Sequence, residues 1–190
     1  MTINVLITGA SRGLGRGLSE IYLQRQDHIV IAAVRDTGTK AAQALHELPR
    51  ADSTRLLVLK IDSASTTDAM EAVSHLQREA VNHLDIVIAN AGISEDLSRV
   101  DQLDLAALTK HIAVNVYGPL SLFQATLPLL TESKKPIFTT VGSAMGAIVA
   151  MDQRPFPSGA YGPSKAMLHF LTRKIHFENE HLIAFVSDPG

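Results

Sequence analysis

The sequence predicts an α/β fold, a doubly wound parallel sheet in a single domain spanning residues 1–190. Three observations carry this. Short apolar runs rich in β-branched residues alternate with longer stretches of helical spacing, the pattern of a parallel sheet covered on both faces. The first run ends at Thr8-Gly9 and leads into a glycine-rich turn that opens a helix. No internal repeat, low-complexity tract or linker divides the chain, and at this length folding buries roughly 70% of the unfolded surface, enough for one substantial core.

The elements follow in order. Residues 3–7 read as a buried strand entering a turn, and Leu14, Leu18, Ile21 and Tyr22 then recur at helical spacing. Residues 28–34 form a second apolar run, and 41–48 suit a helix stopped at Pro49, whose ring cannot continue one. A third strand is predicted over 56–61. Residues 65–82 open with small hydroxyl side chains and an acid, the composition of a helix N-terminus, and carry Met70, Val73, Leu76 and Val81. The fourth and fifth strands are predicted over 84–89 and 137–141. Between them lies a long helical stretch, 103–130, with a kink or break at Gly118-Pro119. Residues 160–177 read as another helix, and 182–186 as a last short strand.

Composition narrows the function. Lys plus Arg number 17 against 19 for Asp plus Glu, a formal charge of −2, so the basic footprint of a nucleic-acid binder is missing. Without cysteine there are no disulfides, thiolate nucleophiles or cysteine-based metal sites. The eight histidines are scattered, and none shows the spacing of a zinc helix, so no metal is expected. His169 and His176, a helix repeat apart, read as a partly exposed stripe. The first ten residues lack the basic and apolar regions of a secretory signal. The weakly polar stretch 136–151 is too short and interrupted to span a bilayer. The expectation is a soluble cytoplasmic protein with no membrane partner.

The turn after the first strand is Thr8-Gly9-Ala10-Ser11-Arg12-Gly13-Leu14-Gly15. Glycines here permit a tight turn, let backbone N–H groups approach a pyrophosphate and allow the helix to pack on the sheet. The helix N-terminus favours the anion.

The spacing of Gly9, Gly13 and Gly15 resembles the T-G-x-x-x-G-x-G loop of the short-chain dehydrogenase/reductase family. Asn90-Ala91-Gly92 follows the fourth strand like the family's N-N-A-G element, with Ala89 in place of its first Asn. Asn115 lies in the long helix where the family carries a catalytic Asn. Ser143 follows the fifth strand, and Tyr161-Gly162-Pro163-Ser164-Lys165 fits Y-x-x-x-K. Pro189-Gly190 matches the P-G after the sixth strand. The correspondence runs through the whole chain in the right order, and it is greatest with the carbonyl- and ketoreductase branch, fungal polyketide ketoreductases included. It implies a Rossmann-type fold, an NADP(H) cofactor and a small-molecule carbonyl substrate. The implied cofactor residues are Gly9, Ser11, Arg12, Gly13, Leu14, Gly15, Arg35, Asp62, Asn90, Ala91, Gly92, Tyr161, Lys165, Pro189 and Gly190.

Charge argues for the phosphorylated coenzyme. An NAD site usually ends its second strand with an acid for the ribose 2′-OH. That place falls here on Val34, followed by Arg35, and Arg12 sits inside the glycine loop. Arg35 alone is equally a solvated loop residue, but two guanidinium groups near one ribose suit a 2′-phosphate. Asp62 resembles the family Asp that recognises adenine, and as a bare acid it could equally serve a turn or cap.

Tyr161 and Lys165, four apart on a predicted helix, share a face. A free phenol, with a pKa of about 10, is a poor acid or base at neutral pH, and a cation one turn away stabilises its anion. The resemblance implies that Tyr161 delivers a proton to the substrate carbonyl oxygen and Ser143 polarises that oxygen. It further implies that Lys165 holds the nicotinamide ribose and tunes Tyr161, while Asn115 positions a water that relays protons to Lys165.

Two departures bear on this. The segment 144–160 is longer than the common pattern, and its Met151 and Phe156 either line a substrate mouth or pack as loop anchors. The family also continues past P-G with a nicotinamide-contacting stretch, a substrate-covering helix and a final strand, which this sequence does not contain. The second expectation is therefore a shortened relative that binds the dinucleotide, or a partner, without catalysis. A homodimer is expected through the two long helices, on the apolar residues Leu120, Phe123, Leu127, Leu168 and Leu171.

Overall fold

The computed structural model describes residues 2–153 and 156–190. Arg154 and Pro155, inside the longer segment 144–160, lie outside the described residues.

Six strands form one parallel sheet: β1 (Ile3–Thr8), β2 (His28–Val34), β3 (Arg55–Lys60), β4 (Ile86–Ala89), β5 (Ile137–Val141) and β6 (Ile183–Ser187). Their spatial order is β3-β2-β1-β4-β5-β6, each pair parallel. Strand β1 is central because it is apolar on both faces, with Val5, Leu6 and Ile7 all fully buried. Side chains alternate across the sheet. Val5 and Ile7, with Val30, Ala32 and Val34 of β2, pack under α1 (Gly13–Leu23) and α2 (Lys40–Gln43). Leu6, Ile31 and Ala33 face the other way, against α3 (Asp68–Arg78), α5 (Gly118–Thr131) and α6 (Tyr161–Glu178).

Several elements depart from expectation. The buried stripe of α1 is Gly15, Ser19 and Leu23, whereas Leu14 and Ile21 are exposed. Small residues let this helix approach the sheet closely, so burial there follows size rather than hydropathy. The helix expected over 41–48 has one α-turn and then tightens to a 3₁₀ turn, Ala44–Glu47, before Pro49.

Helix α3 starts late because Ser65 Oγ accepts from the Thr67 and Asp68 N–H groups and donates to Asp68 Oδ1, completing a capping turn ahead of it. It closes through a bond from Val81 N–H to the Leu76 carbonyl, with Ala80 left-handed at φ 60°. A Cβ is unfavourable there. Ala80→Gly should raise stability by about 0.5–1 kcal/mol, read as a shifted denaturant midpoint at unchanged slope.

The long stretch is α4 (Leu105–Ile112), a π-turn over Ala113–Tyr117, then α5. The irregularity precedes Gly118-Pro119 rather than falling on it. Pro119 has no N–H for the carbonyl four residues back, that of Asn115, and Gly118 N–H bonds instead to Ala113. Of the residues expected to meet a second copy, Phe123 and Leu168 are buried in the chain's own core and Leu120, Leu127 and Leu171 are half-buried. The exposed apolar residues of α6 are Met167, Phe170 and Phe177.

Candidate active site

The strand order reverses between β1 and β4, and a crevice opens at the carboxyl ends of strands at such a point. Thr8, the last residue of β1, joins the two sides. Its hydroxyl accepts from the N–H groups of both Asn90 and Ala91 at 3.0 Å, and Asn90 Nδ2 donates to the Thr8 carbonyl at 2.8 Å. The glycine loop passes over this clamp. Gly9 and Gly13 have φ of 67° and 55°, in the left-handed region. A Cβ on Gly15 would stand 2.4 Å from the Gly9 carbonyl oxygen and 2.5 Å from Asn90 Nδ2, so only glycine fits.

These residues fit a dinucleotide. Helix α1 begins without a side-chain cap or an acid in its first turn, which leaves its N–H groups and positive dipole end for a phosphate. Ser11, Arg12, Gly13 and Leu14 line that end, with Arg12 in the N-cap position and exposed. Arg35, directly after β2, is also exposed. Asp62 holds a turn: its Oδ1 accepts from Ala64 N–H at 2.9 Å, and its own N–H donates to Asp68 Oδ2. Gly92 follows Ala91 beside the clamp, while Pro189 and Gly190 sit exposed past β6.

Asn115 is fully buried in the π-turn. Its Oδ1 accepts from Ile93 N–H at 2.8 Å, and its Nδ2 donates to the Ile93 carbonyl at 2.9 Å and to Ser164 Oγ at 3.0 Å. Both amide hydrogens are committed, leaving one lone pair on Oδ1. A Cβ on Gly92 would lie 3.1 Å from Asn115 Oδ1 and 3.7 Å from Lys165 Nζ, so the two groups close on the same point.

Tyr161 opens α6, half-buried, and Lys165 follows one turn later with Nζ 5.6 Å from the phenol ring centroid. Lys165 is only 4% exposed and donates to the Val141 carbonyl at 2.6 Å. Burial lowers its pKa from 10.5 to about 8. Ser143, two residues past β5, accepts Met145 N–H on its hydroxyl oxygen at 3.2 Å, which leaves the hydroxyl hydrogen free to donate elsewhere. Its own N–H donates to His169 Nε2 at 3.3 Å.

A cavity of about 910 Å³ adjoins this centre. Met145, Ile148, Met151 and Phe156 supply apolar wall, Arg99 and Asp101 its charged edge, and Gly162 and Pro163 its α6 side. Met151 and Phe156 therefore line a mouth. Neither Ser143 nor Tyr161 lines the cavity, though their immediate successors in the chain do. Among the described residues, no group of three or more His, Asp or Glu could hold a metal, and no helix is long and apolar enough to cross a membrane. One contributor escapes sequence reasoning, and one is found without its task. His169 reads only as part of a partly exposed stripe, and Thr8, the first residue of the glycine-loop motif, gives no sign in sequence that its hydroxyl clamps Asn90 and Ala91.

A crevice at the strand reversal, a glycine loop on a helix N-terminus and a Tyr–Lys pair on α6 define a dinucleotide-dependent oxidoreductase. The family description "short chain dehydrogenase" matches residues 3–186, and the chain belongs to that family. It is 44% identical over 187 residues to the norsolorinic acid ketoreductase stcE of Emericella nidulans, covering 97% of this chain and 71% of that protein. It is 43% identical to the norsolorinic acid ketoreductase of Aspergillus parasiticus, covering 97% and 69%. The chain thus spans about 70% of the length of these relatives. Among solved structures, NADPH-bound carbonyl reductase from chicken fatty liver superposes with a TM-score of 0.89 at 26% identity, covering 100% of this chain and 76% of that one. The RhlG/NADP active-site complex of Pseudomonas aeruginosa gives 0.84 at 28% identity, covering 99% and 72%.

Proposed function

We propose that this oxidoreductase is an NADPH-dependent carbonyl reductase acting on a ketone or aldehyde with an apolar body. The observation that carries the reading is the buried Lys165 ammonium one helical turn from Tyr161, on a helix that also contacts Ser143. When bound, the reduced nicotinamide supplies the hydride. Tyr161 gives its phenolic proton to the carbonyl oxygen, and the free hydroxyl hydrogen of Ser143 polarises that oxygen by hydrogen bonding. Lys165 spends one N–H on Val141 and keeps two for the ribose hydroxyls, while its charge supports the phenolate left behind. Asn115 holds the Ile93 backbone, and the remaining lone pair of Oδ1 suits a water passing protons to Lys165. The cavity beside Met145 and Phe156 suits the apolar body of the substrate. The names of the fungal ketoreductase relatives support the reaction class.

The deciding experiment is NADPH oxidation against a panel of ketones and quinones, with direct binding of both coenzymes. Turnover is expected; tight NADPH binding without turnover would instead support a dinucleotide-binding protein without catalysis. NADPH should bind at least tenfold more tightly than NADH, about 1.4 kcal/mol. The cause is the exposed pair Arg12 and Arg35, with no acid at Val34. Arg12→Ala and Arg35→Ala should each erode that ratio through the NADPH constant alone. Equal constants for the two coenzymes at low ionic strength overturn the assignment.

A further inference from the structure

Three contacts sew one face of α6 to the end of β5. Thr172 Oγ1 and Thr140 Oγ1 are 2.9 Å apart, Lys165 Nζ donates to the Val141 carbonyl, and Ser143 N–H donates to His169 Nε2. Positions 165, 169 and 172 fall at i, i+4 and i+7, a single helix face. The His169 ring occupies a slot that only glycines leave open. A Cβ on Gly142 would stand 2.6 Å from its Nε2, and one on Gly146 2.8 Å from its Cε1. These glycines bracket Ser143, so the imidazole touches the chain just before and just after that residue.

We infer that His169 is a positioning residue for Ser143: its imidazole, neutral and unprotonated at Nε2, accepts the Ser143 N–H and so fixes the direction of the Ser143 hydroxyl. The inference rests on the carbonyl-reductase reading for what that hydroxyl does, and adds a residue which that reading leaves without a role. An acceptor at Nε2 places the ring hydrogen on Nδ1. The surroundings favour this neutral form. Burial holds the His169 pKa below 6.5, and the Lys165 charge acts in the same direction, while Asp188, beyond β6, opposes both. Arg173, one turn along α6, is stacked over Phe177 instead. The segment 142–147 of the slot carries no ionisable side chain. Protonation turns Nε2 into a donor facing a donor, and the contact is lost.

The test compares His169→Gln, which keeps an acceptor but does not titrate, with His169→Phe, which keeps a ring without one. Two readouts are followed: the pH profile of kcat/KM with NADPH and a turned-over ketone, and the pH dependence of the Ser143 amide resonance. The parent should lose activity as pH falls through the His169 pKa, below about 6.5. His169→Gln should keep most of the neutral rate without that acid limb. His169→Phe should lose at least about tenfold in kcat at neutral pH with NADPH affinity unchanged. In the parent, the Ser143 amide should titrate together with the imidazole, and in His169→Gln it should stay flat.

An acid limb persisting unchanged in His169→Gln, or a full rate in His169→Phe, overturns the inference. So does a Ser143 amide indifferent to His169 protonation. Should His169→Phe fail to fold, His169→Gln and the resonance decide alone. Absence of turnover with every ketone would count against the reductase reading, and the resonance would still measure the His169–Ser143 link.

Discussion

Tyr161→Phe should lower kcat by about 10²–10⁴-fold, the usual contribution of a positioned general acid, while NADPH affinity stays near that of the parent. The substitution removes one oxygen and keeps the ring. Tyr161 is half-buried at the first position of α6, so the packing of the phenyl face is retained and the melting temperature should barely move. The loss should fall on kcat and kcat/KM together, because the proton is transferred in the transition state and contributes little to substrate binding beforehand. A Tyr161 that merely anchored α6 would give the reverse, a lower melting temperature with the rate intact. Retention of most of the parent rate by Tyr161→Phe would exclude it as the proton donor.

Much of this centre is legible in the sequence because its parts are local. Strand β5 lies over the five residues its β-branched run predicts, and the chain from Thr8 to Gly15 announces a turn that only glycines allow. Helical spacing puts Tyr161 and Lys165 on one face, and the Y-x-x-x-K resemblance gives that pair its meaning. What escapes depends on tertiary contacts. Nothing in Ala-Val-Asn-Val-Tyr signals a π-turn, which forms where Pro119 withholds its N–H while Asn115 is tied to Ile93 and Ser164. The inward stripe of α1 is hidden because Gly15 and Ser19 are chosen for size. His169 reads only as part of a partly exposed stripe, and the slot that Gly142 and Gly146 leave for its ring is a tertiary feature. The family resemblance thus singles out the groups proposed for chemistry, local pattern places Ser143 just past β5 and the Tyr161–Lys165 pair on α6, and the supports that aim them arise from how α5 and α6 dock on the sheet.

Lys165 carries the second large expected effect, and here function and stability pull apart. Lys165 is buried as a residue, and burial lowers its pKa from 10.5 to about 8. Below pH 8 the group is charged in both folded and unfolded chains, so the burial penalty is fully expressed at pH 7. As pH rises from 8 to 10.5 the folded chain releases this proton before the unfolded one does, and stability should climb through that window. The shift corresponds to a penalty of about 3 kcal/mol. Lys165→Met keeps the unbranched stem and removes the charge; the lost bond to Val141 returns about 1 kcal/mol of the gain. The net expectation is a stabilisation of roughly 1–3 kcal/mol at pH 7, with the melting temperature higher by about 2–4 °C for each kcal/mol. The same substitution should abolish turnover and weaken NADPH binding, because both free N–H donors and the charge beside Tyr161 disappear. The parent's rise in stability between pH 8 and 10.5 should also be absent from the variant. Thermal melts of both proteins at pH 7 and pH 10 measure this directly. If Lys165→Met melts below the parent at pH 7 and the two proteins respond alike to pH, the buried ammonium is a structural tie rather than a strained group retained for chemistry.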